Sequence, residues 1–552
     1  MKLKLVLLSF AATGLLFGAS AHAQSYAVTN ARIVTVSGNT IEKGTVVVRN
    51  GLIESVGANV RVPADARVFD GAGLTVYPGF IDTLTSVGVP APTPRPQGQG
   101  QGAAATAQQQ ASQGNSNYPA GLRPEVVVMD DLRGGDGQFE TNRNAGFTTA
   151  VTVGRTGIFN GQSAIINLAG DTPSTLIVKA PFAQHISFVT IPGQYPGSLL
   201  GTFSALRQMF LDAQRLQDHQ KLYAADPRGI KRPDADPSLE ALIPVLAGQI
   251  PVVFNANREN EIVRALDLVR EFKLRAIIAG GQEAWKAADR LKAQNVPVLL
   301  SLNFPKRTAA AAADADPDTL DLLRFRAETL KAAARLHQAG VRFAFQSGGA
   351  TNLADIFANA GMAVENGLSK DVAVRAMTLG AAEILGVSDR LGSIEPGKIA
   401  NLAVVRGEIF GKDRFVSHVF VDGKLFEQKE PQRPAAGQRG PGGQPAGGAQ
   451  PSIANVGGNY TISINAPGQA ITGTLVLIQQ GAILTGSLQT PLGAVQIRDG
   501  KATAEGFSFS ATIEIQGSAF EIAVRGTVSG DQITGTIDTP QGPAPFTGTR
   551  NP

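Results

Sequence analysis

The sequence predicts an α/β protein: a (β/α)₈ barrel inserted into a small composite β-sandwich, followed by an all-β antiparallel, barrel-like domain. Three observations carry this expectation. Residues 24–76 and 391–427 are β-rich and frame a long middle stretch, 77–390, so the two ends read as one domain built around an insertion. Within the insertion, short apolar strands alternate with segments of helical spacing. Repeated βα units of that length imply a parallel sheet and, at this count, a closed barrel. Residues 452–552 instead alternate with a period of two, and Leu484–Gly493 recurs as Ile533–Gly542, which implies repeated antiparallel hairpins.

The elements follow in order. Residues 1–23 read as a secretory signal: Lys2 and Lys4, then the apolar run Leu5–Phe17, then the small-x-small site Ala21-His22-Ala23. The mature chain is therefore expected in the periplasm or outside the cell, with no membrane span once the signal is removed. Tyr26–Val36, Thr45–Asn50, Leu52–Val56 and Arg67–Asp70 read as strands, with tight turns at Gly-Asn and Asn50-Gly51. The composition of 90–117 is Gln-, Gly- and Ala-rich and predicts a disordered loop. Strands are expected at 147–153, 163–168, 176–179, 251–255, 275–279, 297–302 and 341–346. Helices are expected at 199–219, 261–272, 283–293, 319–338, 353–366 and 370–385. Val416–Val421 and Lys424–Phe426 flank Asp422-Gly423 as a hairpin, and 428–451 is a Pro/Gly-rich linker.

Composition excludes several classes. The chain has 552 residues, 43% hydrophobic and 17% charged, which is ample for several globular domains. Its 49 basic and 45 acidic residues show no clustered basic face of the kind nucleic acid requires. It contains no cysteine, which removes disulfides and thiolate metal sites.

The stretch Val76-Tyr77-Pro78-Gly79-Phe80-Ile81-Asp82 closely resembles the barrel entry of the amidohydrolase superfamily, and Leu391-Gly392-Ser393-Ile394-Glu395-Pro396-Gly397-Lys398 resembles that family's lead into its returning strands. The resemblance implies a metal-dependent hydrolase acting on C–N bonds, with zinc or another divalent ion. The family's ligands are a His-x-His after the first strand, a mid-barrel Lys or Glu, two later histidines and a late Asp. Here the His-x-His positions hold Leu84 and Ser86. Asn255 and Asn257 stand where a His-Ala-His is expected, Gly280 where a later His is expected, and Gly348 where the late Asp is expected. Amide oxygens are poor zinc ligands and Asn is no base at neutral pH.

The histidine count agrees without any alignment. There are five, and only His185 is placed to line the barrel mouth, although it reads first as a hydrogen-bonded core or loop histidine. One imidazole without a thiol builds no ordinary zinc site. Asp82, Glu283 and His185 are the remaining candidate catalytic residues, and Gln162 and Ser347 join the candidate pocket. An oxygen-lined site for a hard cation such as Ca²⁺ at Asp82, Asn255, Asn257, Gln282 and Glu283 is the weaker alternative. The expectation is thus a pseudoenzyme without cofactor. It would bind a small molecule or pair with an active paralogue or a second copy of itself. The alternative is an active hydrolase with an atypical site.

Overall fold

The computed structural model describes residues 25–90, 118, 121–155, 157–190, 195–305, 318–348, 353–428 and 456–550, apart from 467–468, 481–482, 491–492, 504–505, 516–517 and 540–541. The expected signal, and all but the first residue of the expected loop and of the linker, lie outside the described residues. The described residues form two compact units, one ending at Gln428 and the other beginning at Val456.

The first unit opens with β1 (Ser25–Ile33), β2 (Ile41–Arg49), β3 (Leu52–Gly57), β4 (Ala66–Asp70) and β5 (Leu74–Pro78). Asn50 and Gly51 both adopt positive φ, 55° and 78°, the backbone that a two-residue hairpin turn demands. Pro78-Gly79 then turns the chain into β6 (Phe80–Thr85). Gly79 is packed so closely on the Thr148 side chain that a Cβ would overlap it.

Next come β7 (Phe147–Thr152), β8 (Phe159–Gln162), β9 (Ala164–Asn167), β10 (Ile177–Lys179), β11 (Gln184–Ser187), β12 (Val252–Ala256), β13 (Ala276–Gly280), β14 (Val298–Ser301) and β15 (Phe343–Gln346). The chain returns through β16 (Leu402–Arg406), β17 (Phe415–Val421) and β18 (Lys424–Glu427).

The two framing segments meet in one eight-stranded sheet of order β18-β17-β16-β5-β1-β2-β3, with β4 beside β1. β16 lies antiparallel to β5, Leu402 opposite Pro78 and Arg406 opposite Leu74. The returning strands extend the same hydrogen-bonded path. Val28, Ile33, Val46, Val76, Leu402 and Phe420 share its core. Asn401 locks this sheet to the insertion. Its Nδ2 donates to Thr149 Oγ1 (3.0 Å) and Asn167 Oδ1 (2.8 Å), while its Oδ1 accepts the Asp422 N–H (2.7 Å).

The insertion holds two further sheets, β10-β9-β7-β6 and β15-β14-β13-β12-β11-β8. β11 through β15 are all parallel, as strands joined by helical crossovers must be. Side chains alternate between two cores. Val252, Phe254, Ile278, Val298 and Phe345 belong to the large core that also contains helix residues such as Leu206, Phe210, Ile262 and Leu266. Val253, Ile277, Ala279, Leu299 and Ala344 join Ile81, Val151, Ile165 and Ala183 in a second one.

The helices depart from expectation in detail. The expected 319–338 helix is two, Leu320–Thr329 and Ala332–Gln338, and 370–385 is broken between Ala376 and Leu379. A helix at Pro237–Leu246 was not anticipated, although Asp236 caps it by accepting from the Leu239 N–H, and Leu239, Leu242 and Val245 make its buried stripe.

The second unit contains β19 (Gly458–Ala466), β20 (Gln469–Gln480), β21 (Ile483–Thr490), β22 (Gly493–Gln496), β23 (Arg498–Ala502), β24 (Phe507–Ile515), β25 (Ser518–Ser529), β26 (Gln532–Thr539) and β27 (Gly542–Arg550). Pairing runs β20-β19-β27-β26-β25-β24-β23-β21 and returns from β21 to β20, closing an eight-stranded antiparallel barrel, with β22 in line with β23 on the same edge of β21. The recurring sequence forms β21 and β26. Tyr460, Phe507, Phe509, Leu475, Ile522 and Phe546 fill its core. The Tyr460 hydroxyl donates to Val456 O (3.0 Å) and accepts from Arg550 Nη2 (2.7 Å).

Candidate functional site

Reactive groups in parallel α/β folds sit at the C-terminal ends of the strands. On the face of β11–β15 that carries the second core, those ends turn from apolar to polar. His185 and Ser187 follow Ala183, Asn255 follows Val253, Ser301 follows Leu299, and Gln346 follows Ala344, each by the strand's two-residue period.

Asp82, on β6, is wholly buried. Its Oδ1 accepts the Ser347 N–H (3.0 Å) and, at longer range, the Leu84 N–H (3.4 Å), whereas Oδ2 has no partner among the described residues. Burial pushes its pKa up to about 6, with the Ser347 and Leu84 hydrogen bonds pulling the other way. Thr83 beside it donates to Phe345 O (2.9 Å), so two hydrogen bonds tie β6 to the end of β15. Leu84 packs against the second core. Ser86 accepts at its backbone oxygen from Arg155 Nη2 (3.3 Å).

His185 is also fully buried. Its Nε2 lies 2.8 Å from Ser163 Oγ, which itself donates to Ala183 O (3.2 Å), so the network assigns the proton to Nε2. Nδ1 has no described partner. Burial lowers the imidazole to about 3, leaving it neutral at any ordinary pH. Asn255 Nδ2 donates to Ser187 Oγ (2.7 Å), which donates to Asn160 Oδ1 (2.7 Å). These amides and hydroxyls satisfy one another.

The two glycines are tightly enclosed. Gly280 has φ 91°, and a Cβ there would run into Asn257 Oδ1; Gly348 has φ 64°, and a Cβ there would run into Ser301 Oγ. Polar side chains from neighbouring strand ends occupy the space in which an imidazole or carboxylate would begin.

Glu283 stands in a helix-terminal ion-pair network. It accepts the Glu259 N–H (3.0 Å) and Lys286 Nζ (2.9 Å), with Arg258 Nη1 at 3.5 Å. Burial raises its pKa, but that backbone donor and the two cations outweigh burial and hold it below the usual value. Gln282 is likewise engaged, donating to Asn303 O (2.9 Å). Gln162 lies on β8 opposite Gln184 of β11.

The structure thus joins Asp82 with Ser347, and Asn257 with Gly280. The sequence reading took Gln162, and not its neighbours Asn160 and Ser163, from the Asn160–Ser163 loop as a pocket residue, and it passed over Ser187 and Ser301, because an isolated Ser carries no motif. Only strand pairing shows that they face His185, Asn255 and Gly348.

The ligand chemistry can now be tested against the metal site that the fold implies. Among the described residues, no three His, Cys, Asp or Glu side chains lie close enough to share an ion. Asp82 is the one carboxylate at the tested positions, and the others hold Leu84, Ser86, Asn255, Asn257, Gly280 and Gly348. These residues do not fit a zinc or related divalent centre.

The architecture is an α/β scaffold with a parallel sheet and a composite flanking sheet. Residues 289–426 match the model of the amidohydrolase family. The crystal structure of an amidohydrolase from Thermotoga maritima MSB8 is similar over 73% of this chain and 100% of its own, at 26% identity and a TM-score of 0.60. A prolidase crystallised with N-methylphosphonate-L-proline covers 74% of this chain and 100% of its own at 17% identity and a TM-score of 0.45. A Xaa-Pro dipeptidase with bound methionine covers 73% and 100% at 15% identity and a TM-score of 0.44. Likeness at the last two scores is too coarse to carry information about substrate. No curated protein sequence matches. The chain is thus similar to the amidohydrolase family in sequence over residues 289–426, and in fold to one amidohydrolase along most of its first unit.

Proposed function

We propose that this chain is a secreted amidohydrolase-family protein that has lost the metal centre and acts as a binding or non-catalytic partner subunit. One observation carries the reading: Gly280 and Gly348, at two of the expected ligand positions, hold positive φ (91° and 64°), and Asn257 Oδ1 and Ser301 Oγ lie where their Cβ atoms would begin. A ligand side chain at either position would have to bear that backbone and displace the neighbouring polar group. The hydrogen bonds from β6 to β15, and those from Ser163 N to Ala183 O (2.9 Å) and Phe182 N to Ser163 O (2.8 Å), support reading the insertion's two sheets as one (β/α)₈ barrel.

The test is capture of tagged protein from its native cell envelope, with parallel assays on cyclic amides and dipeptides. Co-purification of an amidohydrolase paralogue with intact His-x-His, and no hydrolysis by the isolated chain, is expected. Self-association alone would sink the paired-subunit form, and turnover by the isolated chain would sink the inactive one.

A second reading, hydrolysis at an atypical site, draws on the buried Asp82 Oδ2 without a partner. If activity is found, Asp82→Asn must abolish it for that reading to stand.

A further inference from the structure

The opposite ends of the strands carry a separate feature. A cavity of about 370 Å³ opens at the N-terminal ends of β13, β14 and β15, with Arg275, Asn295, Pro297, Arg342 and Glu383 in its wall. Arg275 immediately precedes β13, and Arg342 stands one residue before β15, so the parallel register brings both guanidiniums to one mouth.

Neither has a carboxylate partner among the described residues. Arg342 Nη2 donates to the neutral Asn295 Oδ1 (3.0 Å), and the Arg275 side chain makes no hydrogen bond or ion pair with any described residue. The one acid in the wall, Glu383, is paired with Arg375 Nη2 (2.6 Å). Two further cations stand nearby. Lys179 has its pKa lowered by burial and then by the proximity of Arg275 and Arg390, with Asp389 opposing them. Asp389 lies 3.9 Å from Arg390 and offsets part of this charge, and the excess of like charge around a concave surface raises the local concentration of anions.

We propose that this cavity binds a small anion carrying a carboxylate or phosphate group, with Arg275 and Arg342 as its recognition forks. Planar guanidiniums suit both oxyanions, which they can grip through two parallel N–H donors. The site lies at the far end of the strands from Asp82 and His185, and the proposal is independent of whether the chain hydrolyses anything.

Isothermal titration of the full mature chain at low ionic strength, with inorganic phosphate and separately with succinate, provides the test. Saturable binding of at least one anion, near one per chain, is expected. The tighter of the two identifies phosphate or carboxylate as the natural group. The R275Q/R342Q double variant should weaken binding tenfold or more. E383Q, which removes the competing acid, should tighten it severalfold, and R232Q on a remote exposed loop should leave it unchanged. Absence of saturable binding by both anions would overturn the proposal. So would a double variant that binds like the parent, or R232Q weakening binding as much as the double variant does.

Discussion

Replacing Asp82 by Asn separates a buried structural acid from a cation ligand. In the folded chain the carboxyl is raised from 3.8 to about 6, mainly by burial. The folded state therefore holds a proton between those values that the unfolded chain has released. Stability from this group is fully present below about pH 4 and is lost as pH rises through 6. A shift of roughly two units corresponds to about 3 kcal/mol, at about 1.4 kcal/mol per unit. Asn retains the acceptor for the Ser347 N–H but cannot ionise. It places an N–H₂ at the Oδ2 position, at a cost of about 1 kcal/mol for the unmet donor. Asp82→Asn should thus be slightly less stable than the parent at pH 4 and about 2 kcal/mol more stable at pH 8. Urea unfolding followed by Trp285, the sole tryptophan, reads this from the unit that contains Asp82. If a cation sat on Oδ2, the carboxylate would be held ionised and the sign would invert. A variant less stable than the parent at pH 8 would refute the reasoning.

Three further outcomes follow from the packing. Gly280→His puts a Cβ onto Asn257 Oδ1 at φ 91° and should cost about 2–4 kcal/mol, seen as a lower Tm, without creating zinc affinity. Asn401→Asp exchanges two donated hydrogen bonds for repulsion between oxygens. It should cost about 2–3 kcal/mol at pH 7 in urea unfolding, and less at acid pH, where the carboxyl can donate again. Tyr460→Phe removes the hydroxyl joining Val456 O to Arg550 and should lower the stability of the C-terminal barrel by about 1–2 kcal/mol, measured by thermal unfolding of the chain.

Much of the architecture was legible because it rests on local chemistry. Asn50-Gly51 and Asp422-Gly423 force turns, Pro78-Gly79 forces the corner, and the two-residue period of residues 452–552 allows little but antiparallel strands. The repeat of Leu484–Gly493 pointed to a small barrel, and β21 and β26 are its two copies. The pairing of the returning strands was not legible. Whether β16 pairs beside β5 or packs across from it depends on long-range register, which alternation leaves open. Similarly, Leu84, Asn257, Gly280 and Gly348 stood out as substitutions in a motif, but nothing in the sequence shows that Asn257 and Ser301 reach into the spaces beside the two glycines. Glu283 was singled out for its charge. Its engagement with the Glu259 N–H and Lys286 belongs to the start of the next helix and is visible only once that helix is placed.

The central claim is that the fold persists without its metal chemistry, and metal stoichiometry tests it most directly. Protein purified without chelator, then exposed to zinc or manganese and desalted, should carry far less than one equivalent by elemental analysis. Its Tm should not change after the exposure. One or two tightly held equivalents per chain, with a raised Tm that chelation reverses, would contradict the account.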